Sequence, residues 1–177
     1  MDQGTREQWL HIRAETLKTQ EQAPDRVLPM LAGLAAFTDG YAVDQLQHSL
    51  QTAAHAEAAG ADDELVVAAL CHDMGKVIST ANHAAVAAEI LRPYVCDEVY
   101  RIIHAHQTFE AAHYGEHFGW DPAERERFKD EPWYADAIRF ADEWDQVAFD
   151  PGFDTPTLEH FAPRVRRVFG GPRTITK

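Results

Sequence analysis

Cysteine is scarce: Cys71 and Cys96 are the only two in 177 residues. They form no metal-binding or redox spacing and are too few for a disulfide framework, so buried free thiols are expected. Long apolar runs are also missing, and nothing approaches the roughly 20 residues of a membrane-spanning helix. The N-terminus, MDQGTREQWL, has neither the basic start nor the apolar stretch of a secretory signal, which leads to the expectation of a cytoplasmic protein. Basic residues are few, 16 Lys and Arg against 29 Asp and Glu, for a net charge of -13. That balance speaks against nucleic acid, whose phosphates must be met by concentrated Lys and Arg, and against anionic membranes. The Arg-rich end, Arg164, Arg166, Arg167 and Arg173, is the local exception and is expected to be a solvated helix face.

Strand-like alternation of β-branched residues is nearly absent, while Ala, Leu, Glu and Gln dominate, so the expected fold class is all-α. The length suits one domain. Amphipathic helices are expected over 5–19, 25–37, 43–59, 83–92, 97–106, 109–118, 122–128, 133–148 and 157–169, with a turn at 38–41. Gly60 is a natural stop, Asp62 caps a helix whose run VVAAL leads into His72-Asp73 just before Gly75, and Asn82 is a candidate cap. The expected organisation is N-terminal helices over 1–39 packed on a core over 40–170, with a C-terminal tail over 171–177.

Ten histidines invite a metal hypothesis, but a lone helical His is ordinarily a core or surface residue. The exception is an ordered set: His48, His72-Asp73, His83, His106 and Asp145. Imidazole and carboxylate suit borderline first-row ions, and helical bundles build such centres from inward side chains. Neighbouring helical residues point about 100° apart, so His72 can ligate one ion while the Asp73 carboxylate bridges to a second. His104 competes with His106, because residues two apart cannot share a helix face. His113 and His117 form an i, i+4 pair without an acidic partner at matching spacing. His55 shares the face of His48, whereas His11 and His160 carry no signal.

The stretch AALCHDMGK at 68–76, with an upstream His and a downstream Asp, resembles the HD-domain superfamily. VDQLQHSLQ around His48, NHAAVAAEILRPYV, the His106 region and FADEWDQ around Asp145 resemble its mixed-valent di-iron oxygenase branch, that of the phosphonate-cleaving HD oxygenases and, more distantly, myo-inositol oxygenase. The resemblance spans roughly residues 40 to 170 and implies a single HD-domain helical bundle with a central dinuclear site. It implies that His48, His72, Asp73 and Asp145 bind the first iron, that Asp73 bridges, and that His83 and His106 complete the second. The implied cofactor is an Fe(II)/Fe(III) pair, with Mn, Ni or Mg as alternatives.

Lys76 follows the HD pair in an expected turn, where its ammonium can reach a substrate oxyanion; Lys76 and Asp73 are the candidate catalytic residues. Tyr41, Glu110 and His104 join Lys76 as candidate substrate contacts. Thr38 and Tyr41 occupy the approximate positions of a gating tyrosine and glutamate in the phosphonate oxygenases, a pattern only partly present. Those enzymes carry a phosphonate-gripping lysine four residues after the fourth His, where this chain has Glu110, which suits an ammonium or hydroxyl group instead. The resemblance thus implies oxidation of a small polar substrate by dioxygen. The rival is a dinuclear phosphohydrolase, in which the same ions generate hydroxide and clamp a phosphate; a non-catalytic metal-bound or ligand-sensing module is a third reading.

Overall fold

Thr5 opens the first helix with a reciprocal cap: its hydroxyl accepts from the Gln8 amide while the Gln8 side chain accepts from the Thr5 N–H. The structure, a computed structural model, describes residues 2–173 and is helical throughout, with no strand among the described residues. Its α-helices are α1 (Arg6–Glu21), α2 (Ala23–Gly33), α3 (Gln45–Ala58), α4 (Asp63–Cys71), α5 (His83–Leu91), α6 (Asp97–Tyr114), α7 (Tyr134–Arg139) and α8 (Leu158–Phe169). None of the described helices is long and apolar enough to cross a membrane.

The core forms around α4. Asp62 caps its first turn by accepting from the Leu65 amide, and every residue from Val66 to Cys71 is buried. A helix apolar on all sides must be covered on all sides, and α4 packs against α3, α5, α6 and α8. Each neighbour contributes a stripe: Leu50, Ala53 and Ala56 from α3, Ala87, Ala88 and Leu91 from α5, Ile102, Ile103 and Phe109 from α6, Phe161, Val165 and Phe169 from α8. Helix α2 adds Val27 and Leu31 to the same core, whereas α1 buries no residue. Gly60, at φ +77°, ends α3 in the left-handed conformation, and the Ala61 amide returns to the Ala56 carbonyl.

Several elements depart from the sequence expectation. The segments expected over 97–106 and 109–118 are one helix to Tyr114 followed by a 3-10 turn, Gly115–Phe118, because nothing at Gln107-Thr108 breaks the backbone and Phe109 continues the buried stripe. Over 122–128 there is only a 3-10 segment, Glu124–Phe128. The long helix expected over 133–148 is α7 running into a π-helical segment, Phe140–Asp145, whose wider turn is closed by the Gln146 amide on the Ala141 carbonyl. Asn82 makes no side-chain cap; α5 instead follows directly on a 3-10 turn, Thr80–Asn82.

Cys71 is a buried free thiol and Cys96 a half-buried one. The Arg-rich end is not simply solvated. Arg164 pairs with Glu57 at 2.5 Å and Asp63 at 2.6 Å, Arg167 with Asp63 at 2.8 Å, Arg166 with Asp25 at 2.7 Å, and Arg173 with Glu64. These pairs tie α8 and the segment after it to α2, α3 and α4, because the acidic first turn of α4 lies beside α8. Of the expected tail, Gly171 to Arg173 are described, the Arg173 amide donating to the Pro93 carbonyl at 2.6 Å; residues 174–177 lie outside the described residues.

Candidate metal centre

Six polar side chains converge in the middle of the bundle, and all are buried: His48, His72, Asp73, His83, His106 and Asp145. They arrive from five places in the chain. Asp44 caps α3 by accepting from the Gln47 amide, which sets His48 in the first turn. His72 and Asp73 sit where α4 unwinds into the 3-10 turn Met74–Val77, His83 begins α5, His106 lies mid-way along α6, and Asp145 closes the π segment.

Backbone carbonyls fix the rings. His72 Nδ1 lies 2.8 Å from the Ala69 carbonyl, His83 Nδ1 2.8 Å from that of Thr80, and His106 Nδ1 2.7 Å from that of Ile103, each three residues back. His48 has a distant partner instead, the Ala148 carbonyl at 3.1 Å. A carbonyl can only accept, so every ring carries a proton on Nδ1 and, when neutral, presents a lone pair at Nε2. This is the arrangement by which outer contacts orient metal-bound histidines.

The Nε2 atoms and carboxylate oxygens fall into two groups around Asp73. On one side His48 and His72 face each other Nε2 to Nε2 at 3.0 Å, Asp145 Oδ1 lies 3.1 and 3.4 Å from them, and Asp73 Oδ2 lies 3.6 and 3.5 Å away. On the other, Asp73 Oδ1 lies 3.2 Å from His83 Nε2 and 3.7 Å from His106 Nε2. Ligands about 2.1 Å from an ion and roughly at right or tetrahedral angles lie about 3.0–3.4 Å apart. His48, His72 and Asp145 meet that condition, and His72, Asp73 and His106 also offer atoms mutually within 4.8 Å.

Both oxygens of Asp145 are buried without a hydrogen-bond donor. The 3.1 Å approach of His48 Nε2 to Asp145 is an attraction only if that nitrogen carries a second proton; otherwise lone pair meets lone pair. A buried carboxylate facing such nitrogens requires positive charge, protonic or metallic, so the residues fit a metal ion. The same demand appears in the titration behaviour. Burial disfavours the anions, yet His72 and its neighbours outweigh it and hold Asp73 and Asp145 well below the usual carboxylate range. His72 is raised in turn: burial acts to lower it, and Asp73 and Asp145 more than offset that.

Lys76 projects from the 3-10 turn back over Asp73, donating to Asp73 Oδ2 at 2.6 Å and to Gln45 Oε1 at 2.9 Å. Its ammonium stays charged, because the attraction of Asp73 exceeds the cost of burial. A cleft of about 370 Å³ opens beside the centre, lined by Asp39, Tyr41, Lys76, Gln107, Glu110, Tyr114 and Phe149 together with His48, Asp73, Thr80 and His83. Tyr41 stacks on Phe149 at 4.2 Å, and Phe149 stacks on His48 at 4.0 Å. Gln51 pins the segment before Phe153 by a two-way amide contact with the Asp150 backbone, at 2.8 and 3.1 Å. The sequence pattern does not single out Gln45, Gln51, Gln107, Tyr114 or Phe149; uncharged and aromatic, they carry no metal-ligand signal.

The structure brings Lys76, Tyr41 and Glu110 to the cleft but not His104. That expected substrate contact is corrected: Ile102, Ile103 and Ala105 turn inward with His106, which leaves His104 exposed, its ring 5.7 Å from that of Tyr100. His113 has an acidic partner that sequence spacing did not reveal, Asp142 at 2.8 Å, which Arg125 also contacts at 2.8 Å. His55 packs on Phe153, and His160 pairs with Glu57.

The family model described as the HD domain matches residues 46–146, more than half of the chain and a span containing all six converging residues. The chain belongs to the HD domain family. No curated protein matches it. As an HD-domain protein with His/Asp groups able to hold a metal ion, it is a member of a superfamily of metal-dependent hydrolases and oxygenases.

Proposed function

We propose that this HD-domain protein is a di-iron oxygenase that oxidises a small polar substrate with dioxygen. One observation carries the reading: the two oxygens of Asp73 are divided between His48, His72 and Asp145 on one side and His83 and His106 on the other. Four imidazoles with two carboxylates make a nitrogen-rich set, which suits iron better than the all-oxygen surroundings preferred by Mg. In this reading His48, His72, Asp73 and Asp145 hold one ion, and Asp73, His83 and His106 hold the other. A mixed-valent iron pair supplies one-electron chemistry toward dioxygen.

The protein's own groups then have separable tasks. Asp73 keeps the two positions at a fixed separation. Lys76 spends two of its three N–H donors on Asp73 and Gln45, which leaves one for a substrate oxygen. Phe149, with the exposed Tyr41 stacked on it, covers one face of the His48 ring.

The second reading is a dinuclear phosphohydrolase using Mn, Ni or Mg, and the charged Lys76 in the cleft favours it. Against it stand Asp39 and Glu110 in the same lining, which repel a phosphate dianion. Protein purified without oxygen, partly oxidised and examined by electron paramagnetic resonance, decides between them. The oxygenase reading expects two irons per chain, a coupled mixed-valent signal and oxygen consumption with substrate. Phosphatase turnover without oxygen, on Mn, Ni or Mg, would replace it.

A further inference from the structure

The cleft is electrically lopsided. Its one lysine faces the metal positions and is already held by Asp73 and Gln45. In the same lining, Glu110 comes off α6 one turn beyond His106, and its carboxylate accepts from the Tyr114 hydroxyl at 3.3 Å. Glu110 has no ion pair among the described residues, and Asp39 and the phenol of Tyr41 add no cation to that side. Lys76 and His106 feel the Glu110 charge, but its one hydrogen bond among the described residues is from the Tyr114 phenol, which leaves the carboxylate open to a cation entering the cleft. A ligand that brings its own positive charge can pair with Glu110, and the neighbouring rings of Tyr41, Tyr114 and Phe149 favour an organic cation over water.

We propose that Glu110 is the ammonium-recognition group of this cleft, so that the substrate is a small amine that also carries hydroxyl groups directed toward Asp73 and Lys76. The two ends of the molecule are thereby fixed by opposite chemistry: oxygen atoms meet Lys76 and the metal positions, and the ammonium meets Glu110 and the aromatic rings. The reaction performed on such an amine rests on the oxygenase reading above; recognition of the amine does not. Burial pushes the Glu110 carboxyl up to about 7.

Binding is tested on Mn(II)-loaded protein without oxygen, by calorimetry with two probes that share a diol: 3-amino-1,2-propanediol and glycerol. The amine should bind about tenfold or more tightly than glycerol. In Glu110→Gln, amine and glycerol should fall within about twofold of each other while the metal content is unchanged. Tyr114→Phe, which leaves the carboxylate in place, should keep the parent's order of preference. Glycerol binding as well as the amine, no amine binding at about 10 mM, or a preference that survives Glu110→Gln would overturn the proposal. Loss of metal in Glu110→Gln would also overturn it, by assigning Glu110 to the centre itself. Failure of the oxygenase reading has a separate signature, a missing mixed-valent signal in iron-loaded protein, and leaves the order of probe binding unaffected.

Discussion

Gly75 and His83 meet backbone to backbone: a Cβ built on Gly75 would lie 2.7 Å from the Cα of His83 and 2.8 Å from its carbonyl carbon, and closer still to its carbonyl oxygen. The turn after the HD pair therefore sets where α5 begins, and with it where His83 points. Backbone cannot step aside as a flexible side chain can. Gly75→Ala should lower stability by about 1–3 kcal/mol, the usual cost of overpacking, and should weaken metal at the position of His83 and His106 before that of His48 and His72. Thermal unfolding and metal analysis of one preparation check both effects. An alanine variant with the parent's Tm and metal content would mean that the close approach is not constraining.

His106→Ala should selectively lose the ion on the Asp73 Oδ1 side, because its Nε2 faces that oxygen. His104→Ala should leave the metal content alone, since that ring is exposed on the outer side of α6. Metal stoichiometry of the two variants checks the pair. The opposite pattern would exchange the assignments.

Much of the centre is legible in the sequence, because few residue types can bind a first-row ion and their order along the chain is distinctive. The choice between His104 and His106 is not fixed by spacing alone. It is made by the phase of α6, where Ile102, Ile103 and Phe109 are drawn into the core. The offset of four that puts Glu110 on the face of His106 is legible in the sequence, whereas the continuity of α6 through 107–108 is not, since the pattern leads to the expectation of a break between 106 and 109. The π segment ending at Asp145 carries no compositional mark, and Phe140, Ala141, Trp144 and Asp145 are all buried in it. Nor does local pattern reveal that the Ala148 carbonyl, a hundred residues on, sets the tautomer of His48.

Glu110 gives a prediction in pH. Its carboxyl lies at about 7, against an ordinary 4.5, chiefly through burial. A raised acid binds its proton more tightly folded than unfolded, so its cost is absent below about pH 4.5 and grows as pH rises to 7. In metal-free protein Glu110→Gln should be more stable than the parent by on the order of 1–3 kcal/mol at pH 8, with the difference shrinking toward pH 5. Denaturant unfolding at the two pH values measures it. A variant less stable than the parent at pH 8 would mean that the carboxylate is well compensated in the folded state.

The proposed dinuclear centre depends most on Asp73, whose Oδ2 lies toward His48 and His72 and whose Oδ1 lies toward His83 and His106. Asp73→Ala, reconstituted with iron without oxygen and compared with Asp145→Ala, tests it most directly by metal count per chain. The prediction is two irons in the parent, none firmly held in Asp73→Ala, and one in Asp145→Ala, at the position of His83 and His106. Two irons retained in Asp73→Ala would contradict the bridge and, with it, the dinuclear centre on which the oxygenase reading is built.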